Sequence, residues 1–115
     1  MEYALDNLSQ TFSALADPTR RAILQQLTQG GARFTDLARP HQISRPAVVK
    51  HIKALEKSGL VERTGSATRP VYQLSAAALR EPVDWLSNYQ QFWDSRLDRL
   101  DDYVREVTEQ KGGKA

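Results

Sequence analysis

The sequence predicts a mostly α fold carrying one small β-hairpin, and three observations lead there. Apolar residues recur at spacings of three and four along most of the chain, the signature of one-sided helices. Helix-start signals, Asp17-Pro18 and Ser44, stand directly before two of these periodic stretches. Residues 60–74 break the rule, with two short β-type runs around a turn-rich stretch. At 115 residues the chain has the length of one domain with one hydrophobic core, and no room for a second catalytic domain.

Taken in order, Leu5, Leu8, Phe12 and Leu15 share one face of a first helix. Asp17 caps a second helix, with Pro18 at its first position, where the missing N–H costs nothing. Ala22, Ile23, Leu24 and Leu27 supply its buried side, and Gly30-Gly31 ends it. A short third helix is expected from Thr35-Asp36, limited by Pro40. Ser44 caps a fourth helix with Ala47, Val48, Ile52 and Leu55 on one side, ending at Ser58-Gly59. Leu60–Arg63 and Val71–Leu74 read as strands joined through Thr64–Arg69.

From Pro82 to about Glu109 no helix breaker occurs, and Leu86, Trp93, Leu100 and Val107 recur every seven residues, with Leu97 and Val104 between them. A single helix of that length would run about 40 Å, more apolar surface than so small a monomer covers, and Trp85, Tyr89 and Phe92 widen the face. A partner surface is implied. The expected architecture is a winged helix-turn-helix, ααααββα, occupying residues 1–110 as a single domain. Its helix-turn-helix spans 34–58 and its wing 60–74, and 111–115 form a flexible tail.

Charge is segregated along this plan. Residues 18–80 hold eleven Lys/Arg against three Asp/Glu, while the flanks hold five against eleven. A basic middle between acidic ends suits a segment laid on a polyanion, so double-stranded DNA is the expected partner. The second helix of a helix-turn-helix enters the major groove, its N-terminal turn reaching base edges. With Val48, Ile52 and Leu55 facing inward, Arg45, Pro46, Val49 and Lys50 are the expected base-reading residues. Arg45 can grip guanine through two hydrogen bonds, and Val49 can meet a thymine methyl. Ser44, Lys53, Arg63 and Arg69 are the expected phosphate and wing contacts.

Other chemistries find little support. The absence of cysteine removes disulfides, thiolate nucleophiles and cysteine-ligated metals. His41 and His51 alone do not make a tetrahedral zinc site, and His51, at the margin of the buried face, fits a packing or hydrogen-bonding role. Asp94, Asp98, Asp101 and Asp102 lie among Arg99 and Arg105, which reads as a solvated face in preference to a cation site. No metal, cofactor or enzymatic activity is expected. No apolar run approaches a membrane span, and the N-terminus does not look like a secretory signal, so a cytoplasmic location is expected.

The phrases Phe12-Ser13-Ala14-Leu15-Ala16-Asp17-Pro18-Thr19-Arg20-Arg21-Ala22-Ile23-Leu24, Ile43-Ser44-Arg45-Pro46-Ala47-Val48-Val49-Lys50-His51-Ile52-Lys53-Ala54-Leu55 and Gly59-Leu60-Val61 resemble the ArsR family of bacterial winged-helix repressors, over roughly residues 10–105. The resemblance implies a homodimer, paired through the first and last helices (1–16 and 82–110), that binds an inverted-repeat operator and represses its own operon. The interface residues would be Leu5, Leu8, Phe12, Trp85, Leu86, Tyr89, Phe92, Trp93, Leu97, Leu100 and Val104. Where thiolate metal sensors of the family carry cysteines, this chain has Arg33 and Thr35, and its last helix has no histidine. It therefore resembles the branch that does not sense metals.

Two other readings stand beside this one. The fold could serve as a protein-interaction module docking through its aromatic last helix. Alternatively, Trp85, Tyr89, Phe92 and Trp93 could line a pocket for an unknown small organic effector that releases DNA.

Overall fold

The computed structural model describes residues 6–112, with side chains through 110; Leu5 and residues 113–115 lie outside the described residues. The element order is α1 (Asn7–Leu15), α2 (Pro18–Leu27), α3 (Phe34–Ala38), α4 (Arg45–Lys57), β1 (Val61–Gly65), β2 (Pro70–Leu74), α5 (Ala76–Ser87) and α6 (Gln90–Gly112). The mostly helical fold class with a winged helix-turn-helix is therefore as expected. The chain divides into two compact units, 1–82 and 83–115.

Within the first unit, local chemistry sets the helix starts. Asp6 accepts from the Ser9 N–H at 2.6 Å, Asp17 from the Arg20 N–H at 3.0 Å and Ser44 from the Ala47 N–H at 3.3 Å, each satisfying a donor that the first turn leaves open. Pro18 and Pro46 stand in first turns, where no hydrogen bond is lost. The third helix starts one residue earlier than expected, at Phe34, with Arg33 at its N-cap and Asp36 inside its first turn. Helix α4 closes through Gly59, whose φ of +83° lets its N–H reach the Glu56 carbonyl and the Leu60 N–H reach that of Leu55. This double closure needs a left-handed residue, and it delivers Leu60 wholly buried into the core.

The first strand begins and ends a little later than the sequence suggests and the second begins one residue earlier, at Pro70, pairing Val61 with Leu74 through Gly65 with Pro70 in antiparallel register. A Cβ on Gly65, at φ +82°, would stand 2.7 Å from the Arg69 carbonyl oxygen, so this corner accepts little but glycine. Ala32 adds a pairing the sequence does not reveal. Its N–H donates to the Tyr72 carbonyl at 3.0 Å and its carbonyl accepts from the Tyr72 N–H at 2.8 Å, tying the loop after α2 to the wing. The neighbouring Gly31 permits the approach, since a Cβ there would lie 2.9 Å from a Val71 methyl.

The core gathers Ile23, Leu24 and Leu27 from α2, Leu37 from α3, Val48, Ile52 and Leu55 from α4, and Leu60, Val61 and Tyr72 from the wing. Ala22, expected on the buried side of α2, is exposed. The inward stripe is centred on Ile23, Leu24 and Leu27, and a step of about 100° per residue turns Ala22 away from it.

The expected single last helix is two helices. Helix α5 starts at Ala76, where the Ser75 hydroxyl accepts from the Ala78 N–H at 3.2 Å. Pro82 thus lies buried inside the helix, and not at its start. In the second unit, α5 ends at Ser87, whose hydroxyl lies 2.7 and 3.1 Å from the carbonyl oxygens of Val83 and Asp84. Such back-bonding competes with the helical ladder, and the next two N–H groups fall back by three residues, Asn88 to Trp85 and Tyr89 to Leu86. Helix α6 restarts with the Trp93 N–H on the Tyr89 carbonyl.

The cap at Asp17 gives a pH signature. The Arg20 backbone N–H, chiefly, holds its carboxyl below the usual carboxylate range, with His51 and the Arg20 charge adding to the effect. A depressed folded-state pKa contributes stability that is present above about pH 4 and is lost as pH falls through the folded value. Asn in place of Asp17 keeps a capping oxygen but cannot titrate. Urea unfolding from pH 7 to pH 2.5 is expected to show wild type losing stability relative to Asp17→Asn only below about pH 4. A difference constant across that range would contradict the assignment.

Candidate nucleic-acid interface

The residues singled out for DNA divide between α4 and the wing. Arg45, Pro46, Lys50 and Lys53 are exposed on α4, whereas Val49 is half-buried beside the inward stripe of Val48 and Ile52. Ser44 spends its side-chain oxygen on the Ala47 N–H, but its hydroxyl hydrogen is left to donate. On the wing, Arg63 is exposed on β1 opposite Tyr72. Arg69 is exposed in the turn, its backbone held by the carbonyl and hydroxyl oxygens of Ser66 at 3.2 and 3.0 Å. The wing arginine therefore projects from an ordered corner.

Helix α4 is seated by groups that sequence periodicity does not reveal. Arg20 of α2 donates from Nε to the Ala14 carbonyl at 2.6 Å and from a terminal nitrogen to that of Ser13 at 3.2 Å. Arg21 likewise reaches the Leu15 carbonyl at 2.6 Å. Together they satisfy the open carbonyl end of α1, where positive charge is favoured. The other terminal nitrogen of Arg20 lies 3.4 Å from His51 Nδ1, which is itself 3.8 Å from the Asp17 carboxylate. His51 thus links α4 to α2 through its hydrogen bond with Arg20, beside the Asp17 carboxylate, and His41 bonds Gln26 at 2.9 Å. Phe34 is also absent from the sequence-derived site, yet the Arg45 guanidinium stacks over its ring at 4.7 Å. Neither pairing has a local signal, since each joins separate helices.

The donor set does not fit a metal centre. Arg33 stands at the N-cap position of α3 and Thr35 follows in its first turn, and neither is a thiolate. Among the described residues no group of three or more His, Asp or Glu is placed to hold an ion. Among the same residues no helix is long and apolar enough to cross a membrane.

A helix-turn-helix domain family matches residues 15–64, the stretch from the end of α1 to the wing. The HTH-type transcriptional regulator Rv2034 of Mycobacterium tuberculosis is 43% identical over 97 residues, covering 77% of this chain and 91% of that protein. The transcriptional repressor SdpR of Bacillus subtilis is 28% identical over 82 residues, covering 71% of this chain and 91% of the relative. In structure, the chain is similar to the ArsR family transcriptional regulator RHA00566, with a TM-score of 0.70 and 34% identity over 77% of this chain and 98% of that one. The chain belongs to the ArsR family. As a member of the ArsR family it is a DNA-binding transcriptional regulator and not an enzyme.

Proposed function

We propose that the protein is a homodimeric repressor that binds an inverted-repeat operator, including one before its own gene, with residues 1–110 acting as one functional domain. In this reading Arg45, Pro46, Val49 and Lys50 read bases, while Ser44, Lys53, Arg63 and Arg69 engage phosphates. The observation that carries it is the exposed face of α4, where three cations and Pro46 stand on the second helix of a helix-turn-helix whose other face is core. Dimerisation would join α1, through Leu8 and Phe12, with α5 and α6, through Trp85, Leu86, Tyr89, Phe92, Trp93, Leu97, Leu100 and Val104. The last eight are each at least 41% exposed. Two such α4 helices would enter successive major grooves about one helical turn apart.

The deciding experiment is selection of bound fragments from the host genome by purified protein, at physiological salt with excess non-specific competitor. Recovery of one short inverted repeat supports the reading. Recovery of non-specific sequences alone, with affinity falling steeply as salt rises, rejects it. Two variants separate the roles. Arg45→Ala is expected to cost about 1–3 kcal/mol on the selected site and to relax preference at one position per half-site. Arg69→Ala is expected to weaken all DNA alike and lower the salt slope by about one per half-site. Exchange of these two phenotypes would reverse the assignments.

A further inference from the structure

Arg45 is the first residue of α4 and Phe34 the first of α3, and the packing of these helices brings their two first side chains together. Phe34 is half-buried and packed against the core cluster, which holds its ring in place, and the Arg45 guanidinium lies over that ring at 4.7 Å. The acidic residue of α3, Asp36, is paired with Arg39 at 3.5 Å, and no hydrogen bond or ion pair to another described residue engages the guanidinium of Arg45. The stack borders a groove of about 350 Å³ whose walls include the apolar Ala38, Ile43 and Val48. A ring face is therefore the partner that orients this arginine.

Stacking leaves the useful chemistry of the side chain open. A guanidinium presents its N–H donors in its own plane, while a ring beneath it uses only the flat face. The same Arg45 can remain on Phe34 and still offer a two-pronged fork to the O6 and N7 acceptors of guanine. An unrestrained arginine, by contrast, gives up the freedom of several rotatable bonds when it docks.

We propose that Phe34 is a positioning residue for sequence readout, its ring holding the Arg45 guanidinium in the reading orientation before DNA arrives. This rests on Arg45 being a base-reading residue, and it adds a specificity determinant that lies on α3, outside the recognition helix. Phe34 need touch no DNA to perform this role.

The test compares base-preference profiles, selected from random double-stranded DNA, for wild type, Arg45→Ala, Phe34→Leu, Phe34→Tyr and the double variant Phe34→Leu/Arg45→Ala. A protein with pentafluorophenylalanine at position 34 completes the set. It keeps the ring's shape while reversing the quadrupole that attracts a cation, so it reports even if Phe34→Leu does not fold. Phe34→Leu and the fluorinated ring are expected to lower preference for the base read by Arg45 by about 2- to 5-fold per half-site, with the salt slope unchanged. Phe34→Tyr retains the preference, and Phe34→Leu has no further effect once Arg45 is alanine. If Arg45→Ala flattens the profile at that position while the fluorinated ring leaves it intact, the positioning role is wrong and base reading stands. A Phe34→Leu effect that persists without Arg45 also overturns it. If Arg45→Ala itself leaves the profile unchanged, base reading fails and positioning falls with it.

Discussion

A double variant, Trp93→Glu with Leu97→Glu, is expected to be monomeric and to bind the operator about 10²- to 10⁴-fold more weakly than wild type. On α6 the apolar residues Trp93, Leu97, Leu100, Val104 and Val107 follow one another at spacings of four and three, which keeps them on one side of the helix. Trp93 is 60% exposed, Leu97 45%, Leu100 56% and Val104 53%. Fully burying a side chain of this size contributes roughly 1.5–3 kcal/mol, so even partial cover along such a row favours association. In a two-fold dimer the same patch meets itself, and the proposed interface would gather the introduced carboxylates of both subunits in one buried patch. That arrangement combines desolvation with repulsion. The effect on DNA follows from valency, because a monomer holds one half-site without the high local concentration that tethering gives the second recognition helix. Sedimentation equilibrium and operator titration on the same samples check both halves of the expectation. A mass equal to that of wild type would contradict an interface through this row.

The second large effect is expected in the core. Leu55→Ala should cost about 2–5 kcal/mol of folding free energy, a large share of the 5–15 kcal/mol typical of a domain. Leu55 is wholly buried, on a helix that packs against both α2 and β1. Its carbonyl also accepts the Leu60 N–H that closes the end of α4. Truncation leaves a void whose walls come from separate elements, so the site collapses poorly. DNA binding should fail at temperatures where wild type binds, since the proposed recognition surface is the other face of the same helix. Lys53→Ala, on that outer face, should change stability by no more than about 0.5 kcal/mol. Urea denaturation of the two variants provides the comparison, and a Leu55→Ala loss below about 1 kcal/mol would contradict the packing described for α4.

The caps at Asp17 and Ser44 were legible because each involves a side chain and a backbone N–H three residues away, a geometry that any chain entering a helix adopts. The inward stripe of α4 was legible for a similar reason, being a consequence of helical pitch. The break after Ser87 was not. The seven-residue apolar spacing continues from Leu86 to Trp93 across it, and serine is tolerated within helices, so only the backbone bonds from Asn88 to Trp85 and from Tyr89 to Leu86 reveal the interruption. Asn88, at the first fallen-back N–H, is a poor helix former but not a breaker, which is why composition gave no warning.

The basic outer face of α4 could likewise be listed residue by residue from the sequence, whereas its organisation could not. Arg45 is expected to reach a base, and nothing local in the sequence shows that its guanidinium rests on Phe34. Val49 was expected on the open face, and its half-buried position reflects how α4 is rolled against α2 and the wing. Thus the amino-acid sequence by itself determined the capped starts of α2 and α4, the hairpin, the charge segregation and the apolar rows, all of which arise from interactions within a few residues. Only the tertiary structure decided that Ala32 pairs with Tyr72, that His51 joins α4 to the Asp17 cap and that Phe34 carries Arg45. Those contacts join separate elements, and packing angle and helix rotation, which no local pattern encodes, determine whether they meet.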